Sequence, residues 1–323
     1  MSFYKNKKVV VTGGAGFIGS HIVEKLVACD AQVTVIDNLR TGNLENLNTV
    51  ISDITIINGD IRDKELCTKA LIGADAVFHL AAQVSVPESV EDPETCFSIN
   101  VNGTFNLLEA ARINKAKRFI FSSSCAVYGE HTGPCAETSA CHPTSPYAYS
   151  KFIGEQLCQQ YSQVFNVPAV VLRYFNVFGP RQNPHSEYAG VIAKFTELIK
   201  QNKQITIFGN GTQSRDFVPV KQVVEANLLF AQLPDDLCTG SPINVATGKS
   251  ISVLELVEKL KNNCHDYQHQ AQFAPARHGE LKHSQADCRR YRMLFAQIKR
   301  SRTIPLRQGF GGLRSPQRGS SKK

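Results

Sequence analysis

The sequence predicts an α/β protein built on a Rossmann-like, doubly wound parallel sheet, with a smaller interleaved α/β domain. Three observations carry the prediction. Short apolar runs alternate with helical patterns from the start of the chain, the rhythm of parallel strands joined by crossover helices. Residues Val9-Val10-Val11-Thr12-Gly13-Gly14-Ala15-Gly16-Phe17-Ile18-Gly19 read as a buried strand, a glycine turn and the start of a helix. Finally, Gly13, Asp37, Asp60, Ala81, Ser124 and Asn176 all fall at the carboxyl ends of expected strands, the edge where such sheets bind ligands.

In the first unit, Gly13, Gly16 and Gly19 stand three apart. In a dinucleotide site they would permit the tight turn, the close approach of a pyrophosphate and helix–strand packing, in that order. The helix that follows carries Ile18, Ile22 and Leu26 on one face and aims its N-terminal amides at the phosphates. Val33–Ile36 is the second strand, ending in Asp37 and Asn38. A carboxylate there accepts hydrogen bonds from ribose hydroxyls and repels a 2′-phosphate, favouring NAD over NADP. Arg40 tempers that preference, and a turn residue is the other use of Asp37. Ile54–Ile57 is the third strand, leading to Gly59-Asp60-Ile61, which either reads an adenine edge or caps a helix. Ala76–Leu80 is the fourth strand, followed by the small residues Ala81 and Ala82 and by Gln83. His79, within that apolar run, reads as a core histidine. A long helix follows over 93–114, with Asn100 and Asn102 as polar interruptions that either face a cofactor or water. Phe119–Phe121 leads to Ser122-Ser123-Ser124, a second long helix covers 145–165, and Val170–Leu172 is the sixth strand.

Past Asn176 the rhythm changes, with helices over 191–201, 223–233 and 253–262 and short strands at 205–208, 217–218 and 243–245. The expected domains are 1–176 for the dinucleotide, with 215–233 returning to it, and 177–214 with 234–298 for the substrate. Residues 299–323 form a basic tail of disordered composition.

The net charge of +8 is a property of the end of the chain. From Cys288 onward there are eleven Lys and Arg and no Asp or Glu, so without that segment the charge is −3. Nucleic-acid binding is therefore not expected, and the tail suits either solvent or an anionic partner. No run is long enough to span a bilayer. The first strand begins too early to leave room for a signal peptide. Ten scattered cysteines without metal-ligand spacing read as free thiols in a reducing cytoplasm.

The chemistry centres on Tyr147 and Lys151, four apart and so on one helix face. A free tyrosine, with a pKa of about 10, is a poor base. A neighbouring ammonium and the positive nicotinamide of an oxidised cofactor favour its phenolate. Tyr147 can then take a proton from a sugar hydroxyl while Ser124 binds the same oxygen. Tyr149 lacks this arrangement, since Ile153 stands four residues beyond it.

These segments resemble the extended short-chain dehydrogenases/reductases acting on nucleotide sugars, and among them the UDP-hexose 4-epimerases. The resemblance runs from about Lys7 to Asp287. It rests on the glycine motif, His79-Leu80-Ala81-Ala82, Ser122-Ser123-Ser124, Tyr147-Ala148-Tyr149-Ser150-Lys151, Leu172-Arg173-Tyr174-Phe175-Asn176-Val177-Phe178-Gly179-Pro180 and Ser214-Arg215-Asp216-Phe217. It implies an NAD site formed by Gly13, Gly16, Phe17, Ile18, Gly19, Asp37, Asn38, Asp60, Ile61, Ala81, Ala82, Gln83, Asn100, Ser122, Tyr147 and Lys151. It implies a UDP-sugar site formed by Ser85, Ser124, Asn176, Val191, Phe208, Arg215, Arg277, Glu280 and Ser284, with the two arginines on the diphosphate. No metal is implied. NAD would stay bound, hydride would leave and return through a 4-keto sugar, and the two long helices would pair in a homodimer. Such enzymes feed cell-surface polysaccharide synthesis.

Ser284 stands where relatives restricted to glucose and galactose carry Tyr, which points to UDP-GlcNAc and UDP-GalNAc. A UDP-glucuronate 4-epimerase, another nucleotide-sugar epimerase or dehydratase, and a non-catalytic NAD-binding regulator are the alternatives. Nucleotide-sugar lyases carry an acid two positions after the catalytic Ser or Thr, and here that residue is Ala126.

Overall fold

The valine run becomes the middle of a parallel sheet. A computed structural model describes residues 2–184, 190–262, 264, 267–276 and 282–303. The first part contains β1 (Lys8–Thr12), α1 (Phe17–Val27), β2 (Gln32–Asp37), β3 (Ile54–Asn58), α2 (Lys64–Ala70) and β4 (Ala76–His79). Next come α3 (Val86–Glu91), α4 (Pro93–Phe97), α5 (Gly103–Ile113), β5 (Phe119–Ser124), α6 (Pro146–Phe165) and β6 (Ala169–Tyr174). The remainder runs β7 (Asn176–Phe178), α7 (Val191–Lys200), β8 (Thr206–Phe208), β9 (Ser214–Pro219), α8 (Val220–Phe230), β10 (Thr239–Val245), β11 (Ser250–Ser252), α9 (Val253–Asn262), β12 (Gln272–Ala274), β13 (His283–Ser284) and α10 (Arg289–Thr303).

Seven parallel strands lie in the order β3-β2-β1-β4-β5-β6-β10. The order reverses between β1 and β4, which opens a crevice at their carboxyl ends. The strand period of two explains why both faces are apolar. Val9 and Val11 of β1, with Val170 and Leu172 of β6, pack into the layer that holds Ile22, Leu26 and Val223. Val10 and Val171 point the other way, towards Leu107, Leu108 and Cys158 of α5 and α6. A separate small core under the second domain joins Phe195 and Ile199 of α7 to Ile207, Leu256 and Val257. Its sheets are small: β9 pairs with β7, β11 and β13, and β8 pairs with β12.

Four features depart from the sequence reading. Residues 239–245, expected in the substrate domain, form the edge strand of the large sheet. Ile243 and Val245 extend its core beside Leu172. The chain continues as a helix through Thr303, into the segment read as tail, and Leu294 and Ile298 are buried against the large domain. The helix over 93–114 is not uniform. Ser98–Asn102 form a π turn between α4 and α5, a distortion that re-aims side chains. Asp63, not Asp60, caps α2 by accepting the Leu66 amide at 3.0 Å.

Helix α6 is held to the sheet by a buried ion pair. Arg173 of β6 donates from Nε and Nη2 to the two carboxylate oxygens of Glu155, at 2.8 and 2.6 Å. Ser123 of β5 donates to the same carboxylate at 2.5 Å, and the Arg173 guanidinium lies 4.6 Å from the centre of the Tyr128 ring. Both charges are at most 3 % exposed. Removing one member of such a pair strands the other, at a cost of about 3–5 kcal/mol. Glu155→Gln is therefore expected to lower the denaturation midpoint by that much stability. A loss below about 1 kcal/mol in denaturant titration would contradict the anchoring role.

Candidate active site

The turn after β1 is shaped by two backbones in near contact. Gly13 has φ +67°, and a Cβ there would sit 2.7 Å from the Ala81 amide nitrogen. A Cβ on Gly19 would sit 2.1 Å from the Gly13 carbonyl oxygen, and one on Gly16 3.2 Å from it. Side chains are thus excluded from the crevice, and no side chain caps the N-terminus of α1. Asp37 accepts the Ala15 amide at 2.9 Å and the Leu39 amide at 2.9 Å. Its carboxylate therefore lies beside the glycine turn and fixes the loop after β2. Arg40 pairs with Glu88, so its charge is committed away from Asp37. Asn38 donates to Asp60 at 3.0 Å. Asp60 also takes two hydrogen bonds from the Arg62 guanidinium, which hold its carboxyl down at about 2. Ile61 is buried behind it.

The π turn aims Asn100 inward and leaves Asn102 exposed. Asn100 accepts the Gln83 amide at 2.8 Å and donates to the Gln83 carbonyl at 3.0 Å and to Ser150 Oγ at 2.9 Å. Both polar atoms of the Gln83 side chain are buried without a protein partner. A side-chain-free cradle, a bare helix N-terminus and an orphaned buried amide together fit a dinucleotide.

Across the crevice α6 begins with Ser145 capping the Ala148 amide at 3.2 Å. Tyr147 and Lys151 lie on its inner face, while Tyr149 is half exposed on the other. Ser89 of α3 accepts the Tyr147 amide at 3.1 Å, and Ser85 caps that short helix. Burial pushes the Tyr147 phenol up to about 12, and a hydrogen bond with Ser124 pulls it back part of the way. Lys151 is buried and donates to the Ser122 carbonyl at 2.9 Å. Burial lowers its amine to about 8. The lysine thus secures the strand end that carries Ser124, and the protein alone holds the tyrosine neutral.

Asn176, Val191, Phe208 and Arg215 line one cavity of about 520 Å³. Gln182 also lines it and was missed in the sequence, where it reads as a loop residue. Ser85 does not reach this cavity's wall. Ser284 stands beside Arg215 in the β13–β9 register and is buried; burial raises the thiol of Cys125, the residue after Ser124, and the Ser284 hydroxyl pulls it back part of the way. Arg277 and Glu280 lie outside the described residues. Among the described residues no cluster could hold a metal ion.

A doubly wound sheet with a dinucleotide cradle facing a Ser–Tyr–Lys group defines a nicotinamide-dependent enzyme of the short-chain dehydrogenase/reductase class. The model of the NAD dependent epimerase/dehydratase family matches residues 9–246, and the chain belongs to that family. It is similar to the UDP-N-acetylglucosamine 4-epimerase of Methanobrevibacter ruminantium, whose structure contains UDP-N-acetylmuramic acid. Identity is 42 %, coverage 90 % of this chain and 92 % of that one, and the TM-score 0.84. The UDP-glucose 4-epimerase of Thermotoga maritima, solved with UDP-glucose, is 36 % identical over 91 % of this chain and 98 % of that one, with a TM-score of 0.83. The UDP-glucose 4-epimerase of Mycolicibacterium smegmatis is 36 % identical over 88 % of this chain and 91 % of its own length. The protein is an NAD-dependent nucleotide-sugar epimerase, an isomerase.

The buried amine has a measurable signature. Lys151 ionises near 8 in the fold and near 10.4 in an unfolded chain. Between those values the unfolded chain holds more protons, so stability contributed through this group rises with pH. Lys151→Met removes the buried charge. Its stability relative to the parent should be most favourable below pH 8 and decline by about pH 10.5. A difference independent of pH in paired melts would overturn this assignment.

Proposed function

We propose that the protein interconverts UDP-N-acetylglucosamine and UDP-N-acetylgalactosamine at C4, with UDP-glucose and UDP-galactose as a weaker second pair. The observation that carries this reading is Ser284. It is a small buried residue whose hydroxyl pulls down the burial-raised thiol of Cys125, next to Ser124, which supports a place in the wall beside the reacting hydroxyl. The sugar must turn about its diphosphate between the two half-reactions, and a 2-N-acetyl group sweeps this wall. A serine leaves the volume for it.

Asn176, Phe208, Val191 and Arg215 hold the UDP part, with the Arg215 guanidinium on diphosphate oxygens. Arg277 and Glu280 belong to the same proposal. The glycine turn, Asp37, Asn38, Asp60, Ile61, Ala81, Ala82, Gln83, Asn100, Ser122 and Lys151 hold the cofactor. NAD, when bound, supplies the acceptor for the C4 hydride and a cationic ring that favours the Tyr147 phenolate. Tyr147 takes the proton of the 4-hydroxyl, and Ser124 hydrogen-bonds the same oxygen and relays the proton. Lys151 keeps the Ser122–Ser124 strand end in place. Protonation from Tyr147 on the return completes the cycle. Ala126 offers no acid for elimination, which favours epimerisation over a lyase reaction.

The homodimer reading is supported by apolar side chains left on α5 and α6, among them Phe105, Ile113, Val164 and Phe165, each at least 42 % exposed. Ten free cysteines suit the cytoplasm. No helix among the described residues is long and apolar enough to cross a membrane.

Two substitutions test the chemistry. Tyr147→Phe is expected to lower kcat by about 10²–10⁴-fold while UDP still binds; turnover near the parent's would assign the base elsewhere. Ser284→Tyr should abolish turnover of the N-acetylated pair and spare UDP-glucose, as followed by chromatography of the products. A variant that still epimerises UDP-GlcNAc as the parent does would refute the wall.

A further inference from the structure

Behind the cradle lies a row of buried polar side chains, of which the chemistry above gives a task to Asn100 alone. Thr12, His79, Thr104 and Asn100 are each at most 2 % exposed. His79 is enclosed by the rings of Phe119 and Phe121. Its Nδ1 lies 2.8 Å from Thr12 Oγ1 and its Nε2 2.9 Å from Thr104 Oγ1.

Proton counting settles the direction of each bond. Thr104 gives its one hydroxyl proton to the Asn100 carbonyl at 2.5 Å, and a carbonyl can only accept. Thr104 Oγ1 must therefore accept from His79, which puts the ring proton on Nε2. Burial, with the Lys151 charge adding to it, lowers the imidazole to about 3, so the ring carries a single proton. Nδ1 is then a bare acceptor, and the Thr12 hydroxyl donates to it. Thr12 Oγ1 in turn accepts the Ala81 amide at 3.2 Å. A one-way chain thus runs from the Ala81 amide through Thr12, His79 and Thr104 to the Asn100 carbonyl. The same asparagine clamps both backbone groups of Gln83 and donates to Ser150. Ser150 donates to the Tyr147 carbonyl at 2.7 Å.

The chain has a length and a polarity, so it links the two walls of the crevice. One end is the Ala81 backbone against which Gly13 turns. The other is the clamp that aims the unpartnered Gln83 amide and reaches the start of the catalytic helix. We propose that His79, as the neutral Nε2–H tautomer, is a positioning residue for the dinucleotide. It sets the spacing between the glycine turn and the Asn100–Gln83 clamp, and so where the Gln83 amide meets the cofactor. The proposal rests on NAD lying at this edge.

Thr104→Val keeps the shape of the side chain and removes the hydroxyl, and Thr104→Ser restores the hydroxyl without the methyl. In equilibrium binding of NAD to protein stripped of nucleotide, Thr104→Val should weaken affinity about tenfold, the scale of one buried hydrogen bond, and Thr104→Ser should recover most of it. UDP affinity, set in the other cavity, should stay at the parent's value in both. Equal NAD affinity in Thr104→Val and the parent would overturn the proposal. So would a serine variant as weak as the valine one, since packing would then be the cause. A parent that binds UDP but no NAD would instead refute the cofactor reading on which the proposal rests.

Nitrogen NMR of the unsubstituted protein gives a second readout that does not depend on a variant folding. The His79 ring should show a proton on Nε2 and a bare Nδ1 throughout the pH range of the folded protein. A proton on Nδ1, or a ring that becomes cationic near pH 6.5, would overturn it.

Discussion

The rest of the site depends on the approach of two backbones, Gly13 over Ala81. No side chain fits in that gap, because a Cβ on Gly13 would lie 2.7 Å from the Ala81 nitrogen. The contact joins the carboxyl ends of β1 and β4, the neighbours at which the strand order reverses. The groups proposed to meet the dinucleotide are positioned from there. The N-terminus of α1 follows from the turn, the Asp37 carboxylate is fastened to Ala15, and the Asn100–Gln83 clamp hangs from the segment after Ala81.

The second wall is held by charge. Helix α6 carries Tyr147 and Lys151 at one end, and Glu155, about two turns beyond Tyr147, ties it to the sheet through Arg173 and Ser123. An ion pair this deep contributes little net stability compared with an apolar pair, but it admits one geometry. That suits a helix whose first turns must present a phenol and an ammonium to the same few ångströms. The apolar contacts of α6, through Cys158 and Tyr161, would allow small slides that the bidentate pair does not.

Between the walls the protein disfavours charge. Burial raises the Tyr147 phenol to about 12 and lowers the Lys151 amine to about 8, so both move towards neutrality. Of the two charges that the sequence argument set beside the tyrosine, the ammonium of Lys151 and the cationic nicotinamide, the first does not by itself offset burial. The lysine is engaged by the Ser122 carbonyl, and the charge that favours an ionised tyrosine must enter with the bound molecules. On the proposed mechanism Tyr147 stays inert as a base until the site is loaded.

Periodicity and glycine spacing by themselves determined the doubly wound sheet, the glycine turn and the pairing of Tyr147 with Lys151 on one face. Those signals are local: a period of two or 3.6, a missing Cβ, a separation of four. Several features were decided only by the tertiary structure. Residues 239–245 joined the large sheet because Ile243 and Val245 complete its core, which no local pattern reveals. Composition marks a basic tail from residue 299, yet the helix Arg289–Thr303 runs into that segment, held by its own Leu294 and Ile298 in the large core. The π turn at Ser98–Asn102 leaves Asn102 exposed and gives Asn100 buried partners on two other segments. Gln182 reached the cavity, and Cys125 met Ser284, through folding of distant loops. Burial and hydrogen-bond direction are properties of the assembled molecule, and they set the ionisation of Tyr147, Lys151 and His79. Residue types and spacing name the groups, but only their surroundings decide which of them carries a proton.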